Sequence, residues 1–290
     1  MTAEAQQHAQ QHAQQHAPLD AQYAELLSRD ALDEAEAAAV AQVKAVPGDA
    51  RARLLLADLA VLNGKLDRAD AQLALAADLV PEDAVGIGLL RTQLRGIFAR
   101  EKWFAEGAMP SFPQGPTASD EAALKLGLAL MARDGAAAAA ALETLEAARA
   151  ERAGTWNGRA AEDIRDLDDR FGHAVEAISS GGDYLWIDLA LVTSITFEPP
   201  RRIRELAWRR ARISLADGAS ADVLVPAVYP GAGNEAERLA RVTDWHEAPG
   251  GLTTGSGQRA YLAGDAMEPV MEAQTITFAP PADTGAGTHG

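Results

Sequence analysis

Residues 47–81 read PGDARARLLLADLAVLNGKLDRADAQLALAADLVP, and this stretch predicts the fold of the first half of the chain. The spacing of its Ala and Leu residues predicts two antiparallel helices joined by a turn at Gly64. Small side chains on the facing sides would let the helices approach closely. The inner face of the first helix would carry Leu56, Ala57 and Ala60, and that of the second helix Ala69, Leu73 and Ala76.

A repeat extends this unit along the chain. Pro47 and Pro81 stand 34 positions apart, which is the period of tetratricopeptide repeats, each a pair of helices. One period upstream, residues 32–35 share Leu, Asp and Ala with residues 66–69. Residues 120–150 predict one more helical pair. We therefore expect a short helical-repeat domain rather than a long solenoid.

The composition limits the possible classes of function. The 290 residues carry 42 Asp and Glu against 26 Lys and Arg, a formal charge of −16. We expect no general binding to nucleic acid or membranes, because phosphate binding needs clustered positive charge. The absence of cysteine excludes disulfides, zinc–thiolate sites and cysteine nucleophiles. No secretory signal or long apolar segment is recognisable, so we expect a cytoplasmic protein.

Shifts in composition divide the chain into four parts. Residues 1–18 form a His- and Gln-rich leader that we expect to be disordered, and residues 19–152 form the helical-repeat domain. Residues 153–280 form a second domain and residues 281–290 a flexible tail. In the leader, three histidines four residues apart would share one face of a helix and could bind a divalent metal ion. They are His8, His12 and His16.

The second domain is predicted to be α+β, with a mainly antiparallel sheet and one leading helix. Residues 162–178 favour that helix, and Asp217-Gly218 favours a hairpin turn between strands at 208–215 and 221–226. The glycines at 231–233 and 254–258 are predicted to be turns, since neither stretch has the context of a phosphate-binding loop. Further short strands are expected at 184–187, 194–197, 241–247, 258–262 and 275–278.

Two groups of charged residues are candidate sites. Asp166, Asp169 and His173 could act as acid and base or hold a metal ion in a hydrolase. The alternative is a solvated helix face. The arginine-rich segment 201–212 could clamp a phosphate or an acidic partner helix. Alternatively, its arginines pair with the acidic residues at 162–169 inside the protein.

The second domain also resembles a known family. Residues 166–178 read DLDDRFGHAVEAI and resemble the D-x-D-x-R-x-G-x-x-x-E stretch of the ImpE/SciE proteins, also called TagJ. His173 and Arg210 stand where the family has proline, and the leader has no counterpart. Other family stretches follow in order: YLWID at 184–188, ITFEPP at 195–200, LAWRRAR at 206–212, YPG at 229–231, TDWHE at 243–247 and GQR at 257–259.

This resemblance implies a function in bacterial type VI secretion. The family implies a non-catalytic adaptor without a cofactor, which binds the small subunit of the contractile sheath. It also implies a link to the hexameric AAA+ ATPase that dismantles contracted sheath. Two alternatives remain: a general tetratricopeptide-like scaffold with another partner, and a metal-dependent hydrolase that uses the Asp166, Asp169 and His173 group.

A partner-binding surface can be predicted from residue type. Tryptophan and arginine are enriched at interface hot spots, because they bury a large area and keep a polar group. The alternative is that at least two of the tryptophans form the core of the sheet. A similar choice applies to Trp103 and Phe104, which belong either to a docking loop or to a loop that caps the helical core. The predicted partner-binding residues are Trp186, Trp208, Arg210, Arg212 and Trp245.

Overall fold

The structure, a computed structural model, describes residues 22–279. The predictions for the leader, including its three histidines, and for the tail lie outside the described residues. After a short helical segment at 22–28, seven helices follow within the described range. They are α1 (Leu32–Ala45), α2 (Ala50–Leu62), α3 (Leu66–Leu79), α4 (Ala84–Glu106), α5 (Ala118–Met131), α6 (Gly135–Ala148) and α7 (Glu235–Arg238).

The predicted helical unit at 47–81 is confirmed as α2 and α3. The carboxylate of Asp49 accepts hydrogen bonds from the N–H groups of Arg51 and Ala52, which begins α2. Gly64 adopts a φ of +64° in the turn, a conformation that glycine reaches without steric cost. The six predicted inner-face residues are all buried: Leu56, Ala57, Ala60, Ala69, Leu73 and Ala76.

The second predicted helical pair is confirmed as α5 and α6. Thr117 and Asp120 form a capping box that begins α5, and Asp134 caps α6. Between the two pairs, α4 runs for 23 residues and ends at Gly107, whose φ is +76°. Trp103 and Phe104 belong to α4, so their prediction as loop residues is wrong.

The second half, as far as residue 279, forms three antiparallel sheets, in agreement with the predicted fold class. An eight-stranded sheet has the order β2-β1-β13-β6-β7-β8-β4-β5, a three-stranded sheet the order β12-β11-β3, and β9 pairs with β10. The strands are β1 (Gly154–Trp156), β2 (Arg159–Ala161), β3 (Ile164–Asp166), β4 (Ala174–Ser179), β5 (Tyr184–Asp188), β6 (Val192–Phe197), β7 (Trp208–Leu215), β8 (Ser220–Pro226), β9 (Thr243–Ala248), β10 (Leu252–Gly257), β11 (Ala260–Ala263), β12 (Ala266–Pro269) and β13 (Thr275–Phe278).

The helix predicted over residues 162–178 is wrong, because this segment forms β3, a turn and β4. In the turn, Asp166 accepts the N–H of Asp168, whose carboxylate accepts the N–H of Arg170. Such side-chain bonds to nearby backbone compete with helix formation. Strand β4 is buried on both faces, so its sequence lacks the alternation that marks a half-exposed strand.

Within the described part of the chain, two hydrophobic cores hold the layers together. One lies between the helices and one face of the eight-stranded sheet, and it includes Ile178 and Trp208 from the sheet. The other lies on the opposite face of that sheet and includes Val175 and Ala177 of β4, together with Tyr261 of the three-stranded sheet. Alternate residues of β4 therefore serve different cores, which places this strand between the layers.

Two further observations concern single segments. The predicted hairpin is confirmed as β7 and β8, whereas residues 252–257, predicted in part as a turn, form β10. Among the helices that the structure describes, none has the length and apolar character needed to cross a lipid bilayer.

Candidate functional site

A network of buried charged side chains joins the helical half to the sheet half. Arg100 on α4 donates two hydrogen bonds to Glu176 on β4, over 2.8 and 3.0 Å. Arg259, which follows β10, donates to Glu176 and, over 2.7 Å, to Asp166 at the end of β3. All four side chains are buried. Each of them also has an oppositely charged partner in the network, and this pairing offsets the free-energy cost of removing its charge from water.

The two carboxyl groups of this network differ in pKa. Burial raises the pKa of Glu176, but the guanidinium groups of Arg100 and Arg259 outweigh this effect and lower that pKa to about 2. Burial raises the pKa of Asp166 to about 6, against the opposing charge of Arg259. Glu176 therefore keeps its negative charge throughout the mildly acidic range and pairs with both arginines there.

Two buried tyrosines complete the hydrogen bonding of the carboxylates. The Tyr184 hydroxyl donates to Glu176 over 2.5 Å and accepts from the indole N–H of Trp186 over 2.7 Å. The Tyr229 hydroxyl donates to Asp166 over 2.6 Å. Burial and the neighbouring carboxylates raise the pKa of both tyrosines well above the ordinary value. Both phenols therefore remain protonated and act as donors.

A cleft of about 410 Å³, the junction cleft, opens above this network between the two halves. The Arg100 guanidinium carbon lies 5.3 Å from the ring centre of Phe104 and 5.6 Å from that of Trp208, within cation–π range. The cleft is thus bounded by both halves and backed by a fixed positive charge. Its lining includes Leu62, Gly64, Arg100, Phe104, Trp208 and Tyr229.

A second, more aromatic cleft of about 340 Å³ adjoins the first and shares Phe104, Pro230 and Gly231 with it. Trp103 and Trp186 meet edge to face at its base, with ring centres 5.2 Å apart. Aromatic side chains with a few polar groups are typical of surfaces that bind other polypeptides. We call this the aromatic cleft; its lining includes Trp103, Phe104, Leu130, Met131, Phe171 and Trp186.

The structure does not bring the predicted hydrolase residues together as a catalytic group. Asp166 binds Arg259, whereas Asp169 accepts the N–H of Thr253 over 2.7 Å. His173 is buried and contacts Asp120 over 3.1 Å, so its predicted pairing with Asp169 on a helix is wrong. Within residues 22–279, no three His, Asp or Glu side chains are placed to hold a metal ion.

Comparisons with known proteins agree with this architecture. The family model described as ImpE protein matches residues 158–277. The type VI secretion system accessory component TagJ of Pseudomonas aeruginosa is 31% identical over 270 residues, covering 88% of this chain and 90% of that protein. The chain belongs to the ImpE family. The resemblance found in the sequence is thereby confirmed.

A solved structure shows the same fold as this ImpE-family chain. The crystal structure of protein VPA1032 from Vibrio parahaemolyticus superposes with a TM-score of 0.83 and is 26% identical in sequence. The match covers 89% of this chain and 97% of the Vibrio chain, so both the helical half and the sheet half are included.

The arginine segment of this ImpE-family chain does not pair with the acidic residues at 162–169, so that alternative is wrong. Arg204 binds Asp58 of α2 over 2.7 Å and thus links the two halves. Arg209 is buried and donates to three backbone carbonyls instead. The remaining pairs lie within the sheet region: Arg210 with Glu198, and Arg212 with Asp222.

The five predicted partner-binding residues have different environments. Trp186 and Trp208 are buried, as the alternative prediction of core tryptophans expects. Arg210 and Arg212 lie on the same face of β7 as Trp208 and are exposed. Trp245 on β9 is 37% exposed. A role in partner binding stays a prediction for these residues: Arg210, Arg212 and Trp245 are exposed, whereas Trp208 lines the junction cleft and Trp186 the aromatic cleft.

Sequence analysis missed Arg100, the α4 residue that connects the network to the clefts, because no local pattern distinguishes one helical arginine from another. Phe104 lines both clefts and was singled out in the sequence, but as a loop residue rather than as part of α4. The family stretch at 257–259 did include Arg259, and its final arginine was the available signal for a buried charge in the sheet half.

Proposed function

We propose that this ImpE-family chain is a cytoplasmic, non-catalytic adaptor of a bacterial type VI secretion system. It binds the small sheath subunit and assists recognition of that subunit by the AAA+ ATPase that disassembles contracted sheath. The curated relative's description as an accessory component of this system supports the general role. The sheath subunit and the ATPase are partners inferred from the family resemblance.

The observation that carries the proposal is the pair of clefts at the junction of the two halves. The junction cleft and the aromatic cleft together offer aromatic rings next to fixed charges, including Arg100 and Arg170. The buried network holds α4 against β4, so the walls of the clefts are preorganised rather than assembled on binding. Preorganisation lowers the entropic cost of association. This arrangement suits a protein that binds a segment of another polypeptide.

The cleft can be blocked without disturbing the core. Ala105 on α4 is exposed and lines the junction cleft, so Ala105→Arg would place a long, charged side chain inside it. Ala147→Arg is the matched control, because Ala147 is an exposed alanine of α6 that lines neither cleft. We expect Ala105→Arg to weaken binding of purified small sheath subunit at least tenfold in calorimetry, while Ala147→Arg binds like the wild type.

The same proteins test the alternatives. No binding of the wild type to the sheath subunit or to the ATPase N-terminal domain at micromolar concentration would contradict the adaptor proposal. Equal loss in both variants would contradict the assignment to the cleft. If the sheath subunit binds both variants normally, the double variant Arg210→Glu and Arg212→Glu tests the predicted arginine surface on β7 with the same measurement.

A further inference from the structure

Strand β9 is an edge strand that is open to solvent. Among residues 22–279 it pairs only with β10, and the four central residues of its six are exposed. An open edge presents unpaired N–H and C=O groups, to which another extended chain can add. The exposed residues are Asp244, Trp245, His246 and Glu247.

The register identifies which backbone groups point outward. Gln258 N–H donates to the carbonyl of Val242, so residues 242 and 258 form a hydrogen-bonded pair of the antiparallel ladder. Such pairs alternate along a ladder, so residues 244, 246 and 248 face β10. The N–H and C=O groups of Thr243, Trp245 and Glu247 therefore point away from β10. None of them has a hydrogen-bond partner among the described residues.

The opposite edge of the same hairpin is closed. Strand β10 directs the N–H groups of Thr253 and Gly255 to the carboxylates of Asp169 and Asp168, each over 2.7 Å. The carbonyl of Gly257 accepts the N–H of Tyr229 over 2.8 Å. The β10 edge is thus hydrogen-bonded inside the protein, whereas the β9 edge is left to solvent.

The side chains on β9 define the chemistry of a partner. Asp244 and Glu247 are exposed acids, and residues 243–257 contain no Lys or Arg to neutralise them. Trp245 lies with its ring centre 5.9 Å from that of Tyr229, which leaves part of the indole available for contact. A second copy of this chain would add a strand that carries the same two acids and no Lys or Arg, so it offers no charge complementarity.

We propose that β9 binds an extended, basic segment of another protein by antiparallel strand addition. The segment is recognised by backbone hydrogen bonds to Thr243, Trp245 and Glu247 and by charge pairing with Asp244 and Glu247. This edge lies outside the residues that line the junction and aromatic clefts, so the inference is independent of the proposed type VI function.

The register also predicts the spacing of the partner's side chains. In antiparallel pairing, successive partner residues would stand opposite Glu247, His246, Trp245 and Asp244. A complementary partner would therefore carry, in this order, a basic residue, any residue, an apolar residue and a basic residue. A capped peptide Thr-Lys-Thr-Val-Lys-Thr meets this requirement, and its valine would stand opposite Trp245. The same peptide with glutamate in place of both lysines is the charge control.

The test separates strand addition from simple charge attraction. We expect the lysine peptide to bind saturably below 1 mM, with slower amide exchange at Thr243, Trp245 and Glu247 measured by NMR. The valine N–H would face β9, so N-methylation of that residue should weaken binding about fivefold, the effect of one lost hydrogen bond. The glutamate peptide should not bind.

A protein variant provides the complementary test. The N–H of Glu247 points outward, so Glu247→Pro removes it while keeping the β9–β10 ladder, and proline is tolerated at such edge positions. Glu247→Gln keeps the N–H and is the matched control for charge. We expect Glu247→Pro to weaken peptide binding about fivefold more than Glu247→Gln does.

Three results would overturn the inference. The first is that the lysine peptide does not bind at 1 mM, and the second is that the methylated and unmethylated peptides bind with equal affinity. The third is that the protein forms a dimer and that Glu247→Pro abolishes it. The peptide comparison remains decisive even if Glu247→Pro does not fold, because it uses the unaltered chain.

Discussion

Glu176 is the residue on which the junction between the halves depends. It accepts hydrogen bonds from Arg100, Arg259 and Tyr184 in a site that solvent does not reach. A buried charge that loses its partner costs far more than an exposed one, because it can't be rehydrated without opening the fold. The stability of the junction should therefore respond strongly to this one side chain.

Substitution Glu176→Gln removes the negative charge between two guanidinium groups. We expect the free energy of unfolding to fall by about 3–5 kcal/mol, the range for breaking a buried ion pair. Asp222→Asn is the control, because the pair of Asp222 with Arg212 is exposed and screened by water and should contribute little to stability. Urea titrations of the three proteins at pH 7 measure both effects. Equal losses would contradict the role assigned to the network.

The pKa of Glu176 also predicts a pH dependence. Its pKa in the folded protein is about 2, below the ordinary value of 4.5, so its contribution to stability is present above pH 4.5 and is lost as the pH falls towards 2. The raised pKa of Asp166 has the opposite effect on the free energy of unfolding, because it favours the folded state as the pH falls. We expect this effect in both the wild type and Glu176→Gln. We expect the difference in free energy of unfolding between the wild type and Glu176→Gln to become smaller below pH 4.5. Urea titrations at several pH values measure this difference. A constant gap would contradict this assignment.

At the scale of elements, the packing of α4 against α5 depends on a glycine. A Cβ atom at Gly127 would lie 2.5 Å from the ring of Trp103, so only glycine lets the two helices approach this closely. Trp103 in turn contacts Trp186 on β5. This single contact therefore positions two helices and a strand beneath the aromatic cleft.

Gly127→Ala and Gly86→Ala should have opposite effects on stability. The first introduces a clash with a buried ring and should lower the free energy of unfolding by about 1–3 kcal/mol. Gly86 lies in α4 with open space at its Cβ position, so alanine should raise stability by roughly 0.5–1 kcal/mol through helix propensity. Thermal unfolding of both variants checks the signs. Destabilisation by both would show that the Trp103 clash is not the deciding effect.

Some helices and strands could be predicted from the sequence and others could not, and the reason lies in the range of the contacts that stabilise them. The α2–α3 and α5–α6 pairs were predictable because capping residues, turn glycines and buried alanines all act within a few residues of one another. Hairpin β7–β8 was predictable for the same reason. Strand β4 was not, because both of its faces are buried and a charged Glu176 stands in its middle. The charged partners of Glu176, Arg100 and Arg259, come from distant parts of the chain.

At the scale of the whole molecule, the helical half and the sheet half share one core. Ile178, Trp186 and Trp208 of the sheet belong to the same buried cluster as the helices. Arg204 of the sheet half also binds Asp58 of α2. The last long helix ends at Ala148 and β1 begins at Gly154, yet the division into domains at 152 stays a prediction about folding units.

The shared core predicts cooperative unfolding. Because the helices and the sheet bury apolar surface against each other, separating them would expose that surface to water. We expect one calorimetric transition, with equal calorimetric and van't Hoff enthalpies, and the same midpoint by far- and near-ultraviolet circular dichroism. Two transitions would show that residues 19–152 and 153–280 fold as independent domains.

The sequence by itself determined the helical repeats, the hairpin and the family, because each rests on short-range spacing or on ordered motifs that can be read along the chain. Only the tertiary structure decided that Arg100, Glu176 and Arg259 meet, that Trp186 and Trp208 are buried, and that β9 is left open. These are contacts between distant residues: Glu176 stands 76 positions from Arg100 and 83 positions from Arg259. Local propensity carries no information about such contacts, since burial and charge pairing arise only when the layers pack.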